Sequence, residues 1–308
     1  MCAVAFGCGG KPAKAPPPDD AASGDGGVDP VELAGRFDRK CAGGDLESCR
    51  NLGIMYAEGN GVAPDPVRAT GLFRKACDGG NLPACNHLAL ALAEGLGVAR
   101  EPAKAVEVYQ RACDRGYQIA CRNLGLMLRD GRGVAVDLAR AEQLLDKSCK
   151  GGAPFACTNA GDLDAARAAK GGAGRYREMV THYKLGCDAG DPTACRQIGI
   201  AYLDGRGLPK SSSAAAVWLE RACMPDDPVA CRLLGTMTQQ GIGVPRDVER
   251  GRQLLTRACD AKDAEACRIL KPEPPKDAAD AGIGGDARGS NDGDAVPSDA
   301  ARPTAPPL

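Results

Sequence analysis

The chain has 308 residues, with 39 basic and 40 acidic side chains and a net charge of −1 at pH 7. This balance gives the protein no electrostatic reason to bind nucleic acid or an anionic membrane surface, so we expect neither as a partner. Aromatic residues make up only 4% of the chain, which is few for an ordinary globular core but sufficient when the core is buried in small repeated units.

The N-terminal residues predict export followed by a tether. A small residue precedes Cys8, as in the processing box of bacterial lipoproteins, and Cys8 would carry the lipid. Residues 1–8 would then be the remnant of a signal peptide whose start codon lies further upstream, because a basic start and a longer apolar core are missing. Residues 9–29 are rich in Pro, Ala, Asp and Gly and predict a disordered tether. The alternative is a disordered leader in which Cys2 and Cys8 have no special role.

Beyond this leader, cysteines recur at a fixed spacing. Fourteen of the sixteen cysteines form pairs with seven residues between them, and successive pairs start 36 residues apart, with one interval of 38. Self-similarity at such a period is typical of a repeat protein. The pairs are Cys41/Cys49, Cys77/Cys85, Cys113/Cys121, Cys149/Cys157, Cys187/Cys195, Cys223/Cys231 and Cys259/Cys267.

The residue pattern of each repeat predicts two helices. After the second cysteine, apolar residues recur at helical spacing, and a small residue such as Gly53 four places on indicates close packing of helices. A Gly-x-Gly-Val turn, for example Gly59 to Val62, ends this helix, because glycine adopts the left-handed conformation without strain. A capping residue such as Asp65 begins the second helix, which ends at the first cysteine of the next pair.

The segment between paired cysteines is a tight connection between antiparallel helices. Such a loop can bring two Cα atoms to the roughly 5.5 Å that a disulfide needs, so each pair is predicted to bridge locally. Paired cysteines at this density favour an oxidising compartment. Zinc sites are the alternative, but a seven-residue spacing is long for zinc ligands and the chain has only two histidines, so we expect no metal and no cofactor.

The run C-x-N-L-G-x-x-Y-x-x-G-x-G-V, followed by A-x-x-x-[YF]-x-x-A-C-D-G-G, resembles the Sel-one-like repeat. This repeat is a relative of the tetratricopeptide repeat, and the resemblance is to its disulfide-rich form in secreted cysteine-rich proteins of bacteria. It implies an all-α fold, a right-handed α-solenoid of disulfide-clipped helical hairpins with 36-residue repeats, over residues 30–270. Members of that group are often labelled beta-lactamases or penicillin-binding proteins.

Two segments depart from the repeat pattern. In the fourth repeat the glycine turn is replaced by the run from Ala168 to Gly174, and Arg175 stands at the capping position, which predicts a longer loop. Residues 271–308 consist largely of Pro, Ala, Gly and Asp, a composition that cannot bury enough apolar surface to offset the entropy of ordering. They are predicted to form a disordered tail.

Sequence signals of catalysis are weak. The chain lacks the S-x-x-K, S-D-N and K-T-G motifs of serine beta-lactamases. Its histidines, His87 and His182, lie in different repeats, and His182 is interpreted as a core substitution because the equivalent residues of other repeats are apolar. A beta-lactamase-type hydrolase is therefore implied by resemblance alone.

One polar column is a candidate binding site. In tetratricopeptide-like solenoids the first helix of each repeat lines the concave groove, where arginines can receive carboxylates of a peptide or cell-wall fragment. The alternative is local pairing across the disulfide loop with Asp114, Asp188 and Asp260, or simple solvation. The arginines directly follow the second cysteine of a pair: Arg50, Arg122, Arg196, Arg232 and Arg268.

Together these features predict an exported, monomeric binding scaffold. It would be periplasmic, anchored to the outer membrane as a lipoprotein through a peripheral lipid anchor, or secreted. Its ligand would be a protein, a peptide or a peptidoglycan-like molecule. The alternatives are the hydrolase named above and a structural envelope protein without a small ligand.

Overall fold

The computed structural model describes residues 28–171 and 173–271, and within them the chain forms fourteen α-helices, one short 3-10 turn and no strands. The predictions for residues 1–8, for 9–27 and for 272–308 lie outside the described residues. The odd-numbered helices are α1 (Pro30–Ala42), α3 (Pro66–Asp78), α5 (Pro102–Asp114), α7 (Leu138–Lys150), α9 (Tyr176–Asp188), α11 (Ser212–Cys223) and α13 (Val248–Asp260). The even-numbered helices are α2 (Leu46–Glu58), α4 (Leu82–Glu94), α6 (Gln118–Asp130), α8 (Ala156–Ala169), α10 (Pro192–Asp204), α12 (Pro228–Gln240) and α14 (Ala264–Leu270).

Each helix packs against the helices before and after it in the sequence, so that the described repeats stack into an α-solenoid. Small residues of the even helices permit the close approach that the sequence predicted. A Cβ atom added to Gly53 would lie 2.6 Å from the ring of Phe73, and one added to Gly199 would lie 2.8 Å from Leu219. The all-α solenoid fold is thereby confirmed, with large side chains of one helix seated on glycines of the next.

The predicted helix boundaries are confirmed wherever the capping residues are typical. Asp65, for example, accepts a hydrogen bond from the backbone N–H of Arg68, whereas Glu101 makes no such bond. Gly59 ends α2 in the left-handed conformation, with φ 75°. The second glycine of each turn is needed for a different reason, which is the close approach of another helix. A Cβ on Gly97 would lie 2.0 Å from the carbonyl oxygen of Pro66, at the start of α3.

All seven predicted disulfides are present, and each joins the end of an odd helix to the first turn of the following even helix. The Cα atoms of a pair are 4.5–4.7 Å apart. The bridges therefore clip one hairpin to the next along the chain. The bonded pairs are Cys41–Cys49, Cys77–Cys85, Cys113–Cys121, Cys149–Cys157, Cys187–Cys195, Cys223–Cys231 and Cys259–Cys267.

The second sulfur of most bridges also lies close to the backbone of its partner cysteine. Its distance to the carbonyl oxygen of the first cysteine is 3.4–3.8 Å. A thiol at this distance could donate a weak hydrogen bond, but a sulfur in a disulfide has no proton to donate, so the approach is a packing contact. The sulfurs that make this contact belong to Cys49, Cys85, Cys121, Cys195, Cys231 and Cys267.

The fourth repeat differs from the others at both ends of α8. At its start Ala153 replaces the capping residue, and Phe155 takes a left-handed φ of 60° that only glycine adopts easily. At its end the C-cap residue is Lys170 with φ −89°, where other even helices have a left-handed glycine, and a 3-10 turn (Ala173–Arg175) leads into α9. The buried core divides at this repeat into two main clusters, one on each side of α8.

Candidate functional site

The arginines that follow the second cysteines connect neighbouring repeats. Arg196 Nη1 lies 2.6 Å from Asp227 Oδ2, and Arg232 Nε lies 3.1 Å from Asp263 Oδ1. Asp227 and Asp263 also cap the first turns of α12 and α14, where they accept backbone hydrogen bonds. Each arginine thus holds the capping residue of the next repeat.

The same link occurs with other residue types in the middle of the solenoid. Thr158, which occupies the arginine position of the fourth repeat, donates a hydrogen bond to the capping residue Asp191. The capping position after the repeat of Arg122 holds Ala153, which has no acceptor on its side chain, and Arg122 donates instead to the carbonyl oxygen of Pro154 at 2.8 Å. The position after the second cysteine is therefore a contact point between repeats.

The two terminal arginines pair within their own helices, Arg50 with Glu47 and Arg268 with Glu265. The alternative of pairing across the disulfide loop is wrong, because the side chains of the column reach acidic residues of the next repeat or of their own helix. Asp188 pairs with Arg221 of the next odd helix, and none of the described ion pairs joins an arginine of the column to one of these aspartates: Asp114, Asp188 and Asp260.

A half-buried surface runs along the even helices. We call it the even-helix face, and it consists of the side chains one, two and five places after the second cysteine on α4 to α12. Asn123 Nδ2 donates to Asn86 Oδ1 at 2.7 Å, which links two repeats along the face. The half-buried members are Asn86, His87, Leu90, Arg122, Asn123, Leu126, Asn159, Asp162, Arg196, Gln197, Ile200, Arg232, Leu233 and Thr236. The face therefore combines arginines, amides and aliphatic side chains, and α6 and α10 present them in the same order.

His87 is part of this face and remains neutral at physiological pH. Its ring stacks on Phe73 with the two ring centroids 4.8 Å apart. Burial, together with the nearby charge of Arg50, lowers the pKa of His87 to about 4. His87 thus adds a flat, uncharged surface to the face.

A pocket of about 220 Å³ opens between α8, α9 and α10. Met179 and Ala201 form its apolar part, and Asp162, Gln197 and Tyr183 supply polar atoms. The Tyr183 hydroxyl donates to Asp162 Oδ1 at 2.8 Å. Burial raises the pKa of Asp162 above its usual range, and burial likewise raises the pKa of Tyr183, which stays protonated.

A second polar cluster lies between α7, α8 and α9, and it corrects the interpretation of His182 as a core substitution. His182 Nδ1 lies 2.7 Å from Asp164 Oδ2, and Nε2 lies 3.3 Å from Asp146 Oδ1. The Asp164 side chain is only 2% exposed and is also 3.5 Å from Arg175 Nη1. Glu142 pairs with Arg175 and closes the cluster.

Hydrogen bonding to Asp164 is the largest cause of a raised pKa at His182. Both ring nitrogens face carboxylates, so the ring is arranged to donate two hydrogen bonds and not to take a proton from a nucleophile. The sequence does carry one sign of the cluster. His182 and Asp164 are polar residues in two columns that are mainly apolar elsewhere, and they occur in the same repeat.

The sequence model of the Sel1 repeat matches residues 46–81, 82–117, 118–152, 192–224 and 228–263, more than half of the chain. The chain belongs to the Sel1 repeat family. The fourth repeat, which contains α8 and α9, falls almost entirely outside these matches. No curated protein matches this Sel1 repeat protein at a significant level.

Solved Sel1-type structures share the fold. The crystal structure of c5321, described as a protective antigen of uropathogenic Escherichia coli with an SLR fold, is 27% identical with a TM-score of 0.66, over 77% of this chain and 50% of that chain. A Sel1 repeat protein from Oxalobacter formigenes is 24% identical with a TM-score of 0.65, over 75% of this chain and 100% of that one. The present chain thus spans about half the length of the E. coli antigen.

The described residues add two further observations. Within residues 28–171 and 173–271, every helix is too short or too polar to span a bilayer. The same part of the chain contains no group of three or more His, Cys, Asp or Glu side chains arranged to hold a metal ion.

Proposed function

We propose that this Sel1 repeat protein is a binding scaffold for an extended polypeptide segment that lies along the even-helix face. The observation that carries the proposal is that half-buried amide side chains recur at one position of the face on α6, α8 and α10, and half-buried aliphatic side chains recur at another on α4, α6 and α10. Solenoids present such extended surfaces because each repeat adds one more copy of the same helix face.

The chemistry of the face suits a peptide backbone. An amide side chain has both a donor and an acceptor, and those of Asn159 and Gln197 can pair with the N–H and C=O groups of an extended chain. Leu90, Leu126 and Ile200 provide apolar contacts between these amides. Arg196 and Arg232, which also belong to the face, pair with aspartates of the next repeat and so hold neighbouring parts of the face in position.

The seven disulfides indicate an oxidising environment outside the cytoplasm. As part of the proposal, the protein is exported and acts as a monomer. It is held at the outer membrane by a lipid on Cys8, or is periplasmic or secreted without one.

The binding proposal is tested by selecting peptides from a random twelve-residue phage library on the oxidised protein. Selected peptides are synthesised, and their affinity is measured by fluorescence anisotropy. We expect the double variant Asn159→Ala/Gln197→Ala to weaken binding at least tenfold, because both changes remove backbone partners from the face. The control Lys184→Ala alters an exposed residue of an odd helix and should leave affinity unchanged.

Two results would overturn the proposal. One is the absence of any enriched peptide. The other is equal binding by the double variant and the wild-type protein when circular dichroism melts show that both are folded.

A further inference from the structure

The pocket between α8, α9 and α10 contains a carboxylate that lacks a charged partner among the described residues. Asp162 accepts one hydrogen bond, from the neutral hydroxyl of Tyr183, and takes part in none of the ion pairs. It is half-buried and retains access to solvent through the pocket. A half-buried carboxylate without a cation is unfavourable unless something else compensates its charge.

The arginines around the pocket do not compensate it, because each already has its own carboxylate. Arg129 Nε lies 2.7 Å from Asp130 Oδ1, and Arg196 pairs with Asp227. Arg206, on the rim and 46% exposed, pairs with Asp204. Since each of these three ion pairs is neutral overall, the negative charge of Asp162 is the net charge of the pocket.

The carboxylate is specific to this repeat. The equivalent positions of other repeats hold Ile54, Leu90, Leu126 and Ile200, all aliphatic, and the sixth repeat has Thr236. Met179 likewise stands where most other repeats have alanine. The fourth repeat has therefore exchanged a continuous apolar surface for a polar pocket with an apolar floor.

The polar atoms of the pocket match an ammonium group. Asp162, the Gln197 amide oxygen and the Tyr183 hydroxyl oxygen are three acceptors, and an alkylammonium group has three donors and no acceptor. The aliphatic stem of a lysine side chain would lie against Met179 and Ala201. A carboxylate ligand, in contrast, would meet Asp162 with like charge.

We infer that the Asp162 pocket binds the ammonium group of a lysine side chain. This inference rests on the proposed function, because the lysine belongs to the polypeptide segment on the even-helix face. It goes beyond that function by naming the side chain that sets the position of the segment along the solenoid.

The test titrates three small probes into the full chain and follows the backbone amide signals of α8, α9 and α10 by NMR. The probes are Nα-acetyl-lysine methylamide, its neutral norleucine analogue and its glutamate analogue. We expect saturable shifts with the lysine probe only, at millimolar affinity. Cadaverine, a free diamine, serves to compare an amine without a peptide backbone, and should bind more weakly than the lysine probe.

Asp162→Asn should weaken binding of the lysine probe at least fivefold, whereas the control Asp78→Asn, which changes the charge of an exposed residue on α3, should not. A second measurement needs no variant. Binding to the wild-type protein should weaken as the pH falls through the titration of Asp162.

Equal shifts with lysine and norleucine probes, unchanged binding by Asp162→Asn, no binding at all, or tighter binding of cadaverine than of the lysine probe would overturn the inference. These failures are distinguishable from failure of the proposed function. Selected peptides that depend on Asn159 and Gln197 but not on Asp162 support the scaffold and reject the lysine pocket. A lysine probe held by Asp162 with no selected peptide rejects the scaffold and leaves an ammonium site.

Discussion

The two histidines of the chain have opposite surroundings. His87 packs against Phe73 beside the positive charge of Arg50, which favours the neutral ring. His182 lies between Asp164 and Asp146, which favour the protonated ring. Because the chain has only these two histidines, their effects on folding can be separated by pH.

We expect His87 to make the free energy of unfolding depend on pH on the acidic side, and His182 to make it depend on pH on the alkaline side. The contribution of His87 is fully present above the unfolded pKa of about 6.5 and is lost as the pH falls toward 4, by up to about 3 kcal/mol at 1.36 kcal/mol per pKa unit. The contribution of His182 is fully present below about 6.5 and is lost as the pH rises through its raised folded pKa.

Urea unfolding from pH 4 to pH 9 measures both effects. His87→Gln should flatten the acidic side of the stability profile, and His182→Gln should flatten the alkaline side. Two histidine ring signals that both titrate near 6.5 in NMR spectra would contradict this assignment.

Arg196 forms an ion pair with Asp227 of the next repeat, and loss of this pair should measurably lower stability. Its side chain is 19% exposed, and that of its partner Asp227 is 5% exposed. Arg196→Met should lower the free energy of unfolding by about 1–3 kcal/mol, because a buried carboxylate loses its charged donor. The matched change Arg268→Met, at a side chain that is 65% exposed, should cost no more than about 1 kcal/mol. Urea unfolding compares the two, and equal losses would show that Arg196 has no such role.

At the scale of elements, the second glycine of each turn connects the two ends of a hairpin. Gly97 follows α4 with φ 67° and lies against the carbonyl oxygen of Pro66, at the beginning of α3. A side chain at this position would separate these two ends. The same contact recurs at Gly133, Gly207 and Gly243, each against the start of the preceding odd helix.

We expect Gly97→Ala to destabilise the protein by about 3 kcal/mol, the sum of a left-handed alanine and a steric overlap. Gly116→Ala is the control, since Gly116 has φ 90° but no atom within 4 Å of an added Cβ. It should cost only about 1–2 kcal/mol from the backbone conformation. Thermal and urea unfolding measure the difference, and a larger loss for Gly116→Ala would refute the packing argument.

At the scale of the whole molecule, stability is a sum over repeats and their interfaces. Each disulfide adds to the stability of the junction between two repeats. Each nine-residue loop contributes up to about 2.6 kcal/mol by limiting the entropy of the unfolded chain. A complete repeat is therefore a unit that can be removed without breaking the pattern of the rest.

Deleting residues 82–117 should leave a folded, cooperative protein with the same helical content per residue. The deletion joins α3 to α6 and brings Cys77 and Cys121 to the seven-residue spacing of a native pair. We expect a Cys77–Cys121 disulfide in non-reducing peptide maps. Deleting residues 82–99 instead removes half a repeat and destroys that spacing, so it should abolish the cooperative melt. A folded half-repeat variant would show that the repeat is not the stability unit.

The sequence alone predicted the helices, the turns and the disulfides of this protein, because these features depend on residues close to one another in the chain. Asp65 caps a helix through a backbone group three residues on, and Cys41 reaches Cys49 across one short loop. Repetition at a constant period then extended each local prediction to the whole solenoid, including the family to which it belongs.

Only the tertiary structure decided which side chains meet between repeats. Arg196 finds Asp227 and not Asp188, since stacking brings equivalent helix ends together across 31 residues of sequence. His182 joins Asp164 and Asp146, and Asp162 joins Tyr183, through helices that contact each other only after packing. The candidate binding pocket arises where the fourth repeat departs from the common pattern, so periodicity, which predicted the rest of the chain, had no information about it.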